Sequence, residues 1–313
     1  MTPVLAEVVR SGFVEGVHRG SVVGLAADGS TALAVGDPAA AMFPRSANKP
    51  LQAAAMLELG LDLDGELLAL AAASHSGEEF HVEGVRAILA VAGLGVDALR
   101  TPPDWPYDPV AARAWVRAGH DAEPVAMNCS GKHAAMLVTC VTNGWDTATY
   151  LAPEHPLQVA LRVALERWAQ APVTATGVDG CGAPLYGLPL TGLATALHAC
   201  VRSDPGSAPR RVVDAMRSYP EWVGGTARDV TALMNGVPGL VAKDGAEGVG
   251  VAATDDGRTL AVKVDDGASR ARQVVLAQAL LALGVDEPVV REQTTYELYG
   301  GGAVVGQVRA VPL

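Results

Sequence analysis

The chain carries strand-like text at both ends and helix-like text between them, and that arrangement limits its possible folds more than any other feature. Ser21 to Ala26 and Thr31 to Gly36 are rich in small and β-branched residues and flank Asp28-Gly29, a dipeptide suited to a tight turn. They predict an antiparallel hairpin. Val249 to Ala253 and Leu260 to Val264 repeat the pattern around Asp256-Gly257, followed by a helix from Ser269 to Leu283 and a last strand near Val304 to Val311. Between about Ser46 and Met216 the period is helical, as in Leu157, Leu161, Leu165 and Trp168 after Pro156, a residue suited to the first helical position. Four prolines between Thr101 and Pro109 break this region with a stiff loop, read here as a surface arm. If the terminal strands share one sheet, residues 1–313 form a single α+β domain. It would consist of an antiparallel sheet flanked by helices, with a helical lobe of about residues 46–220 inserted and a ligand cleft between the lobes.

Charge and hydropathy narrow the function. A formal net charge of −11 argues against nucleic acid, whose binders present a basic surface to phosphates, and favours a small neutral or zwitterionic substrate. The longest apolar run, around Leu67 to Ala73, is far short of the roughly 20 residues a membrane-spanning helix needs, so no membrane association is expected. The first twenty residues mix acids, bases and glycines where an export signal would be continuously apolar, which points to the cytoplasm. The four cysteines, Cys129, Cys140, Cys181 and Cys200, then read as thiols or ligands rather than disulfides.

Chemistry concentrates in a few clusters. Arg45-Ser46-Ala47-Asn48-Lys49-Pro50 contains Ser-x-x-Lys, and Pro50 sets the start of a helix close to Ser46. Lys49 then lies one turn on, on the same face. Helix dipole and burial both disfavour its ammonium, which would let it take a proton from Ser46. The plainer reading makes Ser46 an N-cap and Lys49 a solvated side chain. Ser74-His75-Ser76-Gly77-Glu78 ends the apolar helix Glu66 to Ala73 abruptly, as a reactive loop or a simple C-terminus would. In Asn128-Cys129-Ser130-Gly131-Lys132-His133 a cysteine stands before an apolar helix, where its thiolate is stabilised. Cys181 sits in the glycine-rich turn Asp179-Gly180-Cys181-Gly182, and two thiolates could hold zinc, although no Cys-x-x-Cys pair supports it. Cys140 and Cys200 lie in apolar helical text and read as inert. Lys243-Asp244-Gly245, placed before the strand Val249 to Ala253, is similar to the Lys-Thr-Gly element of serine β-lactamases.

Taken in order, RSANKP, ASHSGE, NCSGKH, VDGCGAP, Gly224-Gly225-Thr226-Ala227-Arg228 and VAKDGAEGVG resemble the thermolabile serine-lysine L-asparaginases, the asparaginase II-like family, over essentially the whole chain. The resemblance implies a fold like that of serine β-lactamases and serine-dependent glutaminases, a homodimer, and hydrolysis of L-asparagine to aspartate and ammonia. It implies two serine-lysine pairs, Ser46 with Lys49 and Ser74 with Lys243, and zinc held by Cys129, Lys132, Cys181 and water. Lys132 must be neutral to donate to a metal, so metal and burial together would depress its pKa. By the same resemblance Arg45, His133 and Asp179 surround metal and substrate, with Arg45 anchoring the carboxylate and Asp179 the ammonium. Ser76 and Ser130 are spare nucleophile candidates. Three other readings stand beside this one: a serine β-lactamase or peptidase, a threonine-nucleophile asparaginase cut before Thr226, and a non-catalytic zinc-binding protein.

Overall fold

In the computed structural model, which describes residues 1–313, the two ends of the chain meet in one antiparallel sheet. β1 (Val4–Arg10) turns through Ser11-Gly12, both left-handed, into the long β2 (Phe13–Leu25). β2 turns again at Asp28-Gly29 into β3 (Thr31–Val35), the hairpin expected from the sequence, with Val22 opposite Val35. The Asp28 carboxylate closes this turn by accepting from the Ser30 amide and hydroxyl.

A short β4 (Ala41–Met42) leads through a single 3-10 turn, Arg45–Asn48, into α1 (Lys49–Glu58). The helical region continues as α2 (Gly65–Ala71), α3 (Glu79–Val91), α4 (Pro109–Arg117), α5 (Ser130–Thr142) and α6 (Pro156–Ala169). It is interrupted by β5 (Ala175–Val178) and β6 (Pro184–Pro189), then resumes as α7 (Leu190–Arg202), α8 (Ala208–Ser218), α9 (Pro220–Gly224) and α10 (Asp229–Gly236). The chain returns to the sheet through β7 (Val241–Gly245), β8 (Val249–Ala253) and β9 (Thr259–Val264), followed by α11 (Ser269–Ala282) and α12 (Pro288–Glu292). It closes with the hairpin of β10 (Thr295–Gly300) and β11 (Ala303–Ala310). The sheet order is β10-β11-β1-β2-β9-β8-β7, with β3 on the second half of β2.

The α+β architecture read from the sequence is the one found, with additions. β1, β7, β10 and a small sheet of order β4-β6-β5 were not expected. β5 and β6 hide because Ala-Thr-Gly-Val and Pro-Leu-Tyr-Gly-Leu-Pro carry the glycine and proline that ordinarily argue against a strand. Lys243-Asp244-Gly245 precedes the strand Val249–Ala253, as expected, but itself lies within a further strand, β7, Lys243 facing Val251 across the ladder. The proline-rich stretch is no free arm. Asp104 pairs with Glu123, the Asp108 amide donates to Ser76 O at 2.9 Å, and the Asp108 carboxylate caps α4.

Two helices are buried all round. In α1 every residue from Lys49 to Leu57 is out of solvent, and in α5 every residue from Ser130 to Cys140. Their small residues, such as Ala53-Ala54-Ala55 and Ala134-Ala135, let neighbours approach closely, so both run through the middle of an apolar cluster of 79 residues that continues into the sheet. β8 and β9 are buried along nearly their whole length, packed against both α7 and α11, which is why they read as continuous apolar runs rather than alternating ones. No helix is long and apolar enough to cross a membrane.

Candidate active site

The N-terminal ends of α1 and α5 point chemistry at the junction between sheet and helices. Pro50 lies in the first turn of α1, as expected, and Ser46 precedes it in the 3-10 turn. Arg45, immediately before Ser46, has φ +49°, a left-handed conformation uncommon outside glycine and a local strain at the edge of the site. The strand β7 ends against this turn: a Cβ on Gly245 would lie 2.8 Å from Pro44 O and 3.1 Å from Ala47 N, so the glycine allows the close approach.

A cavity of about 420 Å3 opens there, between the lobes, and Ser46, Ser74, Asn128, Tyr107, Arg228 and Asp244 are among its lining. The cleft inferred from the order of elements therefore exists, and both expected serines are on its wall. Lys49 and Lys243 stand behind them, each 1% exposed.

The lysines are not paired as the resemblance implies. Lys49 Nζ donates to Ala73 O at 2.6 Å, to Ser74 Oγ at 3.0 Å and to Cys129 Sγ at 3.0 Å, and makes no hydrogen bond to Ser46. The helix carries Lys49 inward, toward the segment after α2, rather than along the face of Ser46. Lys243 Nζ likewise donates not to Ser74 but to Asp244 O at 2.7 Å and Asp244 Oδ1 at 2.8 Å. The carboxylate one residue away is the nearest strong acceptor and takes the amine. Burial pushes the Lys243 pKa down and Lys49 and Arg228 add to this, while Asp244 pulls the other way; the balance lies at about 8. Burial works against the charge on Asp244 too, but Lys243, Arg228 and Arg272 outweigh it and hold the carboxyl well below its usual range.

Cys129, the residue before α5, and Cys181, in the turn after β5, face each other with Lys49 and Lys132 as the adjacent cations. The proximity of Cys181, with Lys49 and Lys132 beside it, lowers the Cys129 pKa, while Cys129 and burial raise that of Cys181; Cys129 Sγ lies 3.0 Å from Lys49 Nζ and 3.1 Å from Asn128 Oδ1. Lys132 Nζ lies 3.4 Å from Cys181 Sγ. Burial disfavours the Lys132 ammonium, yet Cys181, Cys129 and Asp179 overcome it and raise its pKa. No group of three His, Cys, Asp or Glu side chains able to hold a metal occurs in the chain. The set of two soft sulfurs and an amine nonetheless suits zinc, which would have to displace protons from the amine and one thiol.

Of the three residues expected around the substrate, Arg45 and Asp179 hold each other. Arg45 reaches Asp179 Oδ1 at 2.9 Å and Glu247 Oε1 at 3.6 Å. His133 is wholly buried on α5, with Nδ1 2.8 Å from the Tyr150 hydroxyl and Nε2 without a partner, and it does not line the cavity. Burial first, then Lys132 and Lys49, hold its pKa far down, so it is neutral. Ser76 and Ser130 are buried and bonded to carbonyls of Gly224 and Val125. Thr226 donates its amide and hydroxyl to Glu78.

The sequence reading gave no role to Arg228, Asp229, Arg270, Arg272, Tyr107 or Tyr296, all on the cavity wall. Arg228 pairs with Asp244 and Arg272 with Asp229; Arg270 has no carboxylate partner. Only Arg228 had a signal, as the end of Gly224-Gly225-Thr226-Ala227-Arg228.

A model of the L-asparaginase II family matches residues 6–310. The chain belongs to that family. No curated protein matches it significantly. Among solved structures, a β-lactamase from Mycobacterium bovis is similar at 15% identity and a TM-score of 0.47, over 85% of this chain and 95% of that one. A Bacillus glutaminase is similar at 13% identity and a TM-score of 0.41, over 85% of this chain and 91% of the other. Likenesses this distant carry no chemistry, which rests on the family and on the residues of the cavity. Membership makes the protein an amidohydrolase of the asparaginase type acting on a small molecule.

Proposed function

We propose that the chain hydrolyses the side-chain amide of L-asparagine, in the cavity between the lobes, through a lysine-assisted serine. The observation that carries this reading is the placement of two serines on one cavity wall with two buried lysines behind them, Lys49 already bonded to one serine at 3.0 Å. Ser46, more open to the cavity than Ser74, attacks the amide carbon, and its proton passes to a lysine amine. Charge collects on the former carbonyl oxygen in the tetrahedral intermediate. The C–N bond then breaks, the nitrogen takes the proton and leaves as ammonia, and water hydrolyses the aspartyl ester. Ser74, held by Lys49, and Lys243, held by Asp244, carry protons to the leaving nitrogen.

A second assignment, favoured by the bond from Lys49 to Ser74, makes Ser74 the nucleophile. Ammonia release from L-asparagine and L-glutamine by the wild type, Ser46→Ala and Ser74→Ala tests both. Turnover is expected on asparagine, and only the nucleophile variant should lose the covalent aspartyl ester in a quenched-reaction mass measurement. An unimpaired Ser46→Ala enzyme would transfer the role to Ser74, and no ammonia from the folded wild type would remove the reading altogether. Nitrocefin cleavage would favour the β-lactamase reading instead.

Cys129, Lys132 and Cys181 are the residues that would hold zinc. Bound there, the ion supplies positive charge that orients the polar end of a substrate. Arg45 and Asp179 can take the substrate's carboxylate and ammonium by exchanging their mutual ion pair for contacts to a zwitterion. Family likeness supports a homodimer as the working form, which sedimentation would test.

A further inference from the structure

Six charged groups are packed around one wall of the cavity, and their balance depends on a residue outside the expected serine-lysine pairs. Asp244 divides its carboxylate: Oδ1 accepts from Lys243 Nζ at 2.8 Å and Oδ2 accepts from the Arg228 guanidinium. Arg228 comes from the segment before α10, and its guanidinium lies over the Tyr107 ring, 4.8 Å from the centroid. Tyr107 is presented by the proline-rich loop, which is fastened to the Ser74 segment through Asp108 and Ser76. On the far side, Arg272 of α11 is engaged with Asp229 through both guanidinium nitrogens. Lys49 of α1 is the remaining charged neighbour of Lys243.

With Lys243 neutral, these residues form two closed pairs, Arg228 with Asp244 and Arg272 with Asp229. Without Arg228, the Asp244 carboxylate would have Lys243 as its only directly bonded cation, and a buried unpaired carboxylate is strongly disfavoured. The amine would then be fixed as ammonium.

We propose that Arg228 and Asp244 are positioning residues for Lys243: Arg228 takes one oxygen of the carboxylate, so that the other oxygen holds the amine in place without locking it as an ammonium ion. Tyr107 keeps the Arg228 guanidinium over that oxygen. The role in catalysis rests on the amidohydrolase reading of this cavity, whereas the control of Lys243 is a property of the folded protein and is measured without substrate.

The test uses full-length protein labelled with 13C at the lysine ε-carbon, the Lys243 signal being identified by its loss in Lys243→Met. In Arg228→Gln the Lys243 titration should rise by about 1 to 3 pH units, and Arg228→Lys, which keeps a cation, should restore most of the shift. In an Asp244→Asn background the same Arg228→Gln change should move Lys243 much less, because the shared acceptor has gone. A Lys243 titration unmoved in Arg228→Gln, or moved equally in both backgrounds, would overturn the proposal. If ammonia release is present, the limb of its pH profile set by Lys243 should follow the NMR shift, with kcat changing more than KM. An inactive wild type showing the same NMR shifts would sink the reaction and leave the Lys243 control standing. A purely structural role for Arg228 would lower stability without moving the titration.

Discussion

Replacing Gly245 by alanine tests whether the end of β7 sets the position of Ser46. Gly245 does not have a positive φ, so alanine meets no backbone penalty, and a packing effect can be isolated. Its new Cβ would be 2.8 Å from Pro44 O, 3.1 Å from Ala47 N and 3.3 Å from Val249 Cβ. The first two are backbone atoms on either side of Ser46, and no side-chain rotation relieves them. Restoring an ordinary carbon–oxygen contact requires about 0.5 Å of displacement in the Arg45–Asn48 turn. Overpacking of this kind costs about 1 to 3 kcal/mol, offset by about 0.4 to 1 kcal/mol from the stiffer unfolded chain. A net loss of about 1 to 2 kcal/mol is expected in urea unfolding. Since a misplacement of about 1 Å in a reacting group can lower a rate about a hundredfold, half that displacement should reduce kcat about tenfold, with KM less affected. Gly16→Ala is the control: its Cβ would meet only Val8, at 3.9 Å, Gly16 does not line the cavity, and the change should alter neither quantity appreciably. A Gly245→Ala enzyme with wild-type kcat and stability would refute the claim that this contact locates the serine.

Tyr150→Phe removes the hydroxyl that pairs with His133 Nδ1 and accepts from the Arg100 amide, so stability should fall by about 1 to 3 kcal/mol in urea melts. Lys243, lowered to about 8, binds fewer protons folded than unfolded between that pH and its ordinary value. Wild-type stability relative to Lys243→Met should therefore rise through this window, by about 3 kcal/mol at most; a difference constant from pH 7 to 10 would show that the lysine is not depressed. Cys181→Ala should abolish zinc binding measured by elemental analysis after dialysis against the metal, and retention of stoichiometric zinc would remove Cys181 from the ligand set. In each case folding is checked by circular dichroism.

What the sequence made legible is what local rules govern. Pro50 and Pro156 fixed helix starts, Asp28-Gly29 fixed a turn, and the helix at Ser130 followed from the apolar text after Cys129. β5, β6 and β7 were hidden because they are short and contain Gly or Pro, and only their partners make them strands. The same division runs through the site. Ser46, Lys49, Ser74 and Lys243 could be named from short motifs, but which amine meets which hydroxyl depends on where α1 directs Lys49 and on Asp244 standing beside Lys243. Arg228, marked only as the end of a family-like segment, and Arg272, with no signal at all, were given no role because their meaning lies in carboxylates reached only after folding: Asp244 sixteen positions on from Arg228, and Asp229 forty-three positions before Arg272. A motif identifies reactive groups, whereas their protonation is set by charges that the fold gathers from distant segments. In this cavity the groups that could do the chemistry and the groups that decide whether Lys243 is charged belong to different parts of the sequence, and only the former carry a local signature.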